Sequence, residues 1–258
     1  MWIVPTAGGQ EREIIADQDA TRPRWAPDGK RFAFLSYKSG ASQVCIADFD
    51  STAGTATGLR MFTSIATQAG SELWSPDGKN MFFVSNVYPE CTNESCNEKK
   101  IEAAANSKVK ATIFTRLLYR HVSAYTEGMR SHIFVVPLDA CEKVQDGCPA
   151  GAVRDLTPGD YDVQDDYALS PDGQEICYAS NHDQNEAAST NNDLWVVPIT
   201  GGPAKNITED NLASDSTPLY SLDGKYIAYR AQQRPGYDGD RFRLMLYQRG
   251  NSNLCYHD

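Results

Sequence analysis

The 258-residue sequence has no Gly-x-Ser-x-Gly elbow, the turn that presents the nucleophile of α/β serine hydrolases. It also lacks a phosphate loop, a dinucleotide fingerprint and a His-Glu-x-x-His motif, so nucleotide-driven and zinc-peptidase chemistry have no motif to rest on. No run approaches 18 apolar residues, and no membrane-spanning helix is predicted. Residues 1–10 show neither the basic start nor the apolar stretch of a signal peptide. Basic charge is in deficit: 24 Lys and Arg stand against 34 Asp and Glu, a net charge of −10. Such a surface repels phosphate backbones, which argues against nucleic acid and anionic membrane as partners. Histidine is scarce. His121, His132, His182 and His257 show no partner spacing, and each reads as a surface or core residue rather than a ligand. No catalytic residue, cofactor or metal is assigned from the sequence.

What the chain does have is a phrase written four times: Trp25-Ala-Pro-Asp-Gly-Lys30, Trp74-Ser-Pro-Asp-Gly-Lys79, Leu169-Ser-Pro-Asp-Gly-Gln174 and Tyr220-Ser-Leu-Asp-Gly-Lys225. Pro presets φ, Asp bonds back to its own backbone, and Gly takes the left-handed conformation that closes a hairpin. In the fourth copy Leu222 replaces Pro, and Asp223-Gly224 can still turn. Each turn is followed by an apolar run such as Arg31-Phe-Ala-Phe-Leu35 or Glu175-Ile-Cys-Tyr-Ala179, which reads as a buried strand. A second phrase recurs between the first ones. Trp2-Ile-Val-Pro and Leu194-Trp-Val-Val-Pro198 are close copies, with looser ones at 44–48, 132–138 and 243–247. These are third strands, followed by a turn and a short fourth strand.

Four strands at a period near 50 residues predict an all-β fold, a β-propeller of four-stranded antiparallel blades. The blades fall at about 22–66, 71–157 and 163–209, with partial blades at 1–17 and 216–250 and an irregular tail at 251–258. An unclosed ring exposes strand edges, so a partial ring from a longer protein is the expectation. A compact five-bladed ring closed by its own ends is the alternative.

The first two turns lie 49 positions apart and the last two 51, but Trp74 and Leu169 are separated by 95. The excess is a partly helical insertion at 89–130. Asn97–Ala105 favours helix on propensity. Residues 108–121 keep both strand and helix spacing, and that choice stays open. Long insertions of this kind project from one face, where function collects.

Seven cysteines include two close pairs in polar loops, Cys91 with Cys96 and Cys141 with Cys148. Short disulfides and an oxidising compartment are the first reading. A zinc site is the competing one, although the spacings do not match common zinc motifs. Cys45 and Cys177 fall inside strands. Asp160, Asp162, Asp165 and Asp166 could offer oxygens to calcium, but the distal glutamate of an EF-hand is missing and a solvated loop is the simpler reading. Asn93-Glu-Ser95 and Asn206-Ile-Thr208 match the glycosylation pattern, which is short enough to arise by chance.

The Ser-Pro-Asp-Gly-Lys turns with Leu194-Trp-Val-Val-Pro198 resemble the propellers of TolB-like proteins and of the prolyl oligopeptidase family. Leu117–His121, Glu127–Phe134 and Tyr229-Arg-Ala-Gln-Gln-Arg-Pro-Gly-Tyr237 are similar to secreted bacterial dipeptidyl-peptidase V and acylaminoacyl-peptidase-like enzymes. The resemblance spans nearly all of residues 2–249. It implies a seven- or eight-bladed propeller capping a C-terminal α/β-hydrolase domain with a Ser-Asp-His triad. Neither the early blades nor that domain has a counterpart here, so no catalytic role transfers to any residue.

On this resemblance the chain is the non-catalytic cap of a periplasmic or secreted serine peptidase, gating and orienting short peptide substrates. The alternative is a TolB-like periplasmic module that binds proteins. The insertion resembles substrate-facing elements. Glu127 is then the candidate for a peptide's terminal ammonium, and Arg120 for a carbonyl or carboxylate. The plainer reading makes both structural ion pairs that anchor the insertion.

Overall fold

A computed structural model describes the chain except residues 17, 18, 110, 112, 115, 116, 118, 122, 123, 126, 142–147, 251–253, 257 and 258. The side chains of 120, 121, 124, 150 and 254–256 are likewise not described. Strands β1 (Trp2–Ile3) and β2 (Arg12–Glu13) form an antiparallel pair. The first full blade contains β3 (Thr21–Trp25), β4 (Arg31–Ser36), β5 (Gln43–Asp50) and β6 (Thr55–Met61), in that spatial order. The second contains β7 (Ala69–Trp74) and β8 (Asn80–Val87). After them come helix α1 (Glu94–Asn106), the hairpin β9 (Arg120–His121) and β10 (Ala124–Tyr125), then β11 (Arg130–Pro137) and β12 (Arg154–Asp155). Its sheet order is β12-β11-β8-β7, with the hairpin as a separate pair. The third blade is β13 (Val163–Leu169), β14 (Glu175–Ser180), β15 (Asp193–Pro198) and β16 (Lys205–Asn206). The fourth is β17 (Asp215–Tyr220), β18 (Tyr226–Ala231), β19 (Arg243–Gln248) and β20 (Leu254–Tyr256).

The repeated phrase closes the first hairpin of every blade. Its glycines, Gly29, Gly78, Gly173 and Gly224, have φ of 66°, 68°, 69° and 69°, a region that penalises any Cβ. In three copies the serine hydroxyl donates to the turn aspartate: Ser75 to Asp77 and Ser170 to Asp172 at 2.6 Å, Ser221 to Asp223 at 2.7 Å. These bonds, with backbone N–H groups, hold all three carboxyls below their ordinary pKa. In the first copy Ala26 cannot donate, and Arg31 pairs with Asp28 at 3.0 Å instead. Leu222 in the fourth copy is 99% exposed, so losing Pro there costs the turn no packing.

In two copies the residue before the turn ties its blade to the preceding one. In the second blade the indole of Trp74 donates to the Arg24 carbonyl at 3.0 Å, with the Arg31 guanidinium 5.4 Å above its ring. In the fourth, the Tyr220 hydroxyl donates to Glu175 at 3.0 Å under Arg249. The first strands also break register, between Thr21 and Arg24, Gly70 and Leu73, Val163 and Tyr167, and Ser216 and Leu219. Arg22, Ser71 and Thr217 take positive φ at three of these bulges, a local strain that the flanking ladders must hold.

The described chain divides into two compact units, one of residues 1–86, 91–102 and 134–154, the other of 87–90, 103–133 and 155–258. The core of the first gathers Leu35, Val44, Ile46, Met81, Phe83 and Val136. The core of the second gathers Cys177, Leu194, Tyr220, Ile227, Tyr229 and Met245. Fully burying side chains of this size stabilises by roughly 1.5–3 kcal/mol each.

Two sequence expectations change. The tail is not wholly irregular: Leu254, Cys255 and Tyr256 pair with Tyr247, Leu246 and Met245, giving the fourth blade its fourth strand. A turn at Gly250, φ 82°, returns the chain onto an edge of β19 whose ladder groups need partners. A two-residue turn signal without an apolar run was too weak to show this. The ambiguous stretch 108–121 ends in strand at β9, and most of its earlier half lies outside a regular element. The helix expected at 97–105 is present as α1.

Candidate functional site

The second unit carries a cleft of about 480 Å³. Three segments meet there for a topological reason. Val163 pairs with Ser180 and Ser180 with Asp193, so the loop entering β13 and the loop joining β14 to β15 emerge at one end of the blade. Arg130, the first residue of β11, comes from the insertion, and Leu117 lines the same cleft.

Arg130 is the floor. Its side chain is 7% exposed, and three carboxylates converge on it. Nε donates to Asp160 at 2.9 Å, Nη1 to Asp162 at 2.7 Å, and the two Nη groups grip Glu186 at 2.6 and 3.1 Å. Burial opposes the guanidinium charge, but the bonds to Glu186, Asp160 and Asp162 outweigh it and hold the proton more firmly than usual. Next to it, His132 is 2% exposed with both ring nitrogens facing oxygens, Asp155 at 2.7 Å and the Gly159 carbonyl at 2.9 Å.

One wall is a stack of rings. His182 lies between Tyr161, 3.7 Å between centroids, and Trp195, 3.9 Å. Burial pushes His182 down to about 4, so the ring is neutral at physiological pH and stacks without a charge to desolvate. Asp183 accepts a short hydrogen bond from the Ser189 hydroxyl. Among the described residues, the cleft and its floor thus set Asp160, Asp162, Asp183 and Glu186 against one cation, Arg130. Chemically this is a polar, electronegative recess suited to a cationic group.

Neither Arg120 nor Glu127, the site residues expected from sequence, is among the described residues that line this cleft. Arg120 lies in β9 opposite Tyr125, and its side chain is outside the described residues. Glu127 sits exposed at φ 52° in the turn between β10 and β11, three positions before Arg130. Both lie on the stretch of chain between Leu117 and Arg130, two residues that line the cleft. The insertion leaves apolar groups in solvent: Ile113 is 87% exposed, Val109 70% and Leu117 61%. Phe114, Tyr119 and Tyr125 contact one another with centroids 4.7–6.5 Å apart.

Sequence reasoning missed Arg130, Glu186 and the role of His182. The pairing of Arg130 with Glu186 joins positions 56 apart and left no local pattern. The solvated-loop reading of 160–166 is corrected in part: Asp160 and Asp162 are occupied by a guanidinium, which removes them as calcium donors. Cysteine geometry excludes zinc at the loop pairs. Cys91 is bonded to Cys96 and Cys141 to Cys148, with Cα separations of 5.4 and 4.7 Å. Asn206 donates its side-chain amide to Asp193, which makes it a poor glycosylation acceptor.

No protein-family profile matches the chain. Among curated proteins it is 30% identical over 250 residues to dipeptidyl-peptidase 5 of Porphyromonas endodontalis, covering 92% of this chain and 33% of that protein. Dipeptidyl-peptidase 5 of Porphyromonas gingivalis is 28% identical over 251 residues, with 92% and 34% covered. The chain thus spans about a third of the length of these relatives. Among solved structures, acylaminoacyl peptidase of Pyrococcus horikoshii superposes with a TM-score of 0.63 at 14% identity, over 99% of this chain and 34% of that one. A TolB of Agrobacterium tumefaciens gives 0.58 at 18%, over 99% and 72%. The β-propeller domain of the Trilobed protease of Pyrococcus furiosus gives 0.56 at 13%, over 99% and 62%. The four-stranded units are propeller blades, and the resemblance to dipeptidyl peptidases extends over nearly the whole chain.

Proposed function

We propose that this chain is the propeller cap of an exported serine peptidase of the dipeptidyl- or acylaminoacyl-peptidase kind, admitting and orienting short peptides for an α/β-hydrolase domain of the same polypeptide. The observation that carries the proposal is 30% identity to a dipeptidyl-peptidase across 92% of the chain. The cleft supports its finer part. A peptide's terminal ammonium is a compact cation, and a recess with four carboxylates around one engaged guanidinium attracts it by charge. Glu127 and Arg120, on the chain between the cleft residues Leu117 and Arg130, would meet the ammonium and a substrate carbonyl or carboxylate. Exposed Ile113, Phe114 and Tyr125 offer apolar surface for the peptide's side chains. Two disulfides fit a periplasmic or secreted protein. A TolB-like binding module, the alternative, needs no excursion of this size in one blade.

The test is steady-state kinetics on the full-length polypeptide with a dipeptidyl substrate. Glu127→Gln and Arg120→Ala are each expected to lower kcat/KM more than threefold, and residues 1–258 alone to cleave nothing. Changes below threefold in both variants would remove the site assignment. Cleavage by the isolated chain would remove the cap reading.

A further inference from the structure

Residues 130–133 open β11, and each of them holds the segment 155–162 that leads from β12 to β13; all belong to the second unit. Arg130 pairs with Asp160 and Asp162, the Ser131 N–H donates to Asp162 Oδ1 at 2.8 Å, and the Ile133 N–H donates to the Thr157 hydroxyl at 2.9 Å. His132 differs from these three, because a neutral ring beside an ionised carboxylate cannot make both of its bonds. Nε2 lies 2.9 Å from the Gly159 carbonyl, which only accepts, so Nε2 carries a proton. Nδ1 lies 2.7 Å from Asp155 Oδ2, and a ring protonated at Nε2 alone offers only a lone pair there. Two lone pairs facing at that distance around a ring 2% exposed are strongly unfavourable, so a second proton lies between them. Asp155 is fixed to share it, since its Oδ1 accepts the Thr157 N–H at 2.9 Å. Imidazolium with carboxylate, or imidazole with carboxylic acid, has the same proton count and leaves the pair without net charge.

The segment gripped in this way carries part of the cleft. Gly159 directly precedes Asp160, and a Cβ at Gly159 would run into the ring of Tyr161, the outer ring of the stack on His182. The carbonyl that His132 holds therefore lies beside both an acid and an aromatic wall of the recess. The Asp160 and Asp162 carboxylates are half-exposed, so their places depend on the backbone beneath them rather than on burial. We propose that His132, joined to Asp155 by a shared proton and to the Gly159 carbonyl by its own, is a positioning residue of the cleft. It sets Asp160, Asp162 and Tyr161 in place for the cationic terminus of a peptide. This role rests on the peptidase reading above; the proton count does not.

Two measurements on the full-length polypeptide test this: [15N]histidine spectra for the protons, and steady-state kinetics with a dipeptidyl substrate for the positioning. Wild type is expected to show two exchange-protected imidazole N–H resonances that both vanish in His132→Gln. His132→Phe keeps a buried ring without donors and is expected to raise KM about tenfold, with kcat changed less than about twofold. His132→Gln, whose longer amide reaches toward the Gly159 carbonyl, should recover most of that KM, and His132→Asn, which reaches only toward Asp155, should not. General loss of folded protein gives the opposite split, a lower apparent kcat at unchanged KM. The Gln and Asn variants decide by themselves where the Phe variant does not fold. One protected N–H or none overturns the shared proton. KM within about threefold of wild type in every variant, or a fall in kcat alone, overturns the positioning role. Failure of wild type to cleave any dipeptidyl substrate overturns the peptidase reading and this role with it, and leaves the proton count to the spectra.

Discussion

Replacing Arg130 by Met tests the organisation of the cleft. The methionine roughly keeps the buried aliphatic stem but removes the guanidinium from Asp160, Asp162 and Glu186 at once. Two of these carboxylates are 52% exposed and can turn to water, so they contribute little to the penalty. Glu186 is 21% exposed and gripped by two nitrogens, so its desolvation dominates. Breaking a buried ion pair by removing one partner costs about 3–5 kcal/mol, and solvent reaching two of the three acids places this case near the lower end. For a chain of this length that corresponds to a fall in Tm of roughly 6–12 °C, read by calorimetry or circular dichroism. The double variant Arg130→Met with Glu186→Gln should recover about 1 kcal/mol or more, since the buried charge left behind is gone. A loss below about 1 kcal/mol for the single variant, or strict additivity in the double, would refute the claim that Arg130 organises the cleft electrostatically.

The disulfides should appear as linked Cys91–Cys96 and Cys141–Cys148 peptides on non-reducing mass mapping of the native protein, with each closed loop contributing roughly 2 kcal/mol; four free thiols would rule them out. Ser170→Ala should cost about 1–2 kcal/mol, because the hydroxyl both donates to Asp172 and accepts from the N–H groups of Gln174 and Glu175; urea midpoints at constant m measure it. Asp215 gives stability a definite pH sign. Its folded pKa of about 7 exceeds the ordinary 3.8, so the unfolded state sheds its proton first and stability falls as pH rises from about 4 through 7. Asp215→Asn removes that fall, and the gap between variant and wild type should widen by on the order of 2–4 kcal/mol between pH 4 and 8; a constant gap would show that Asp215 does not titrate in this way.

The parts of the molecule visible in the sequence are those written locally. Pro-Asp-Gly turns repeat nearly the same φ at Gly29, Gly78 and Gly173 because turn chemistry depends on adjacent residues alone. The apolar runs after them became β4, β8, β14 and β18 for the same reason. The cysteine pairs were legible because five and seven residues of chain bring their Cα atoms close almost unaided. Arg130 was not legible, since its three acids reach it only when the loops entering β13 and leaving β14 are stacked at one blade end. His182 had no sequence partner at all, because Tyr161 and Trp195 become its neighbours through strand pairing. Asp193 and Asp215 open strands, and nothing in the neighbouring sequence marks the burial of their carboxyls.

Active-site labelling of the native polypeptide tests the central claim most directly. Cells of the source organism would be treated with a fluorophosphonate probe, and the labelled proteins identified by peptide mass spectrometry and assayed with a dipeptidyl substrate. The expected result is peptides from residues 1–258 within a labelled, active polypeptide larger than 28.5 kDa, while the 258-residue chain made alone is unlabelled and inactive. If the polypeptide carrying these residues takes no label and cleaves no dipeptidyl substrate, the propeller is not the cap of a serine peptidase.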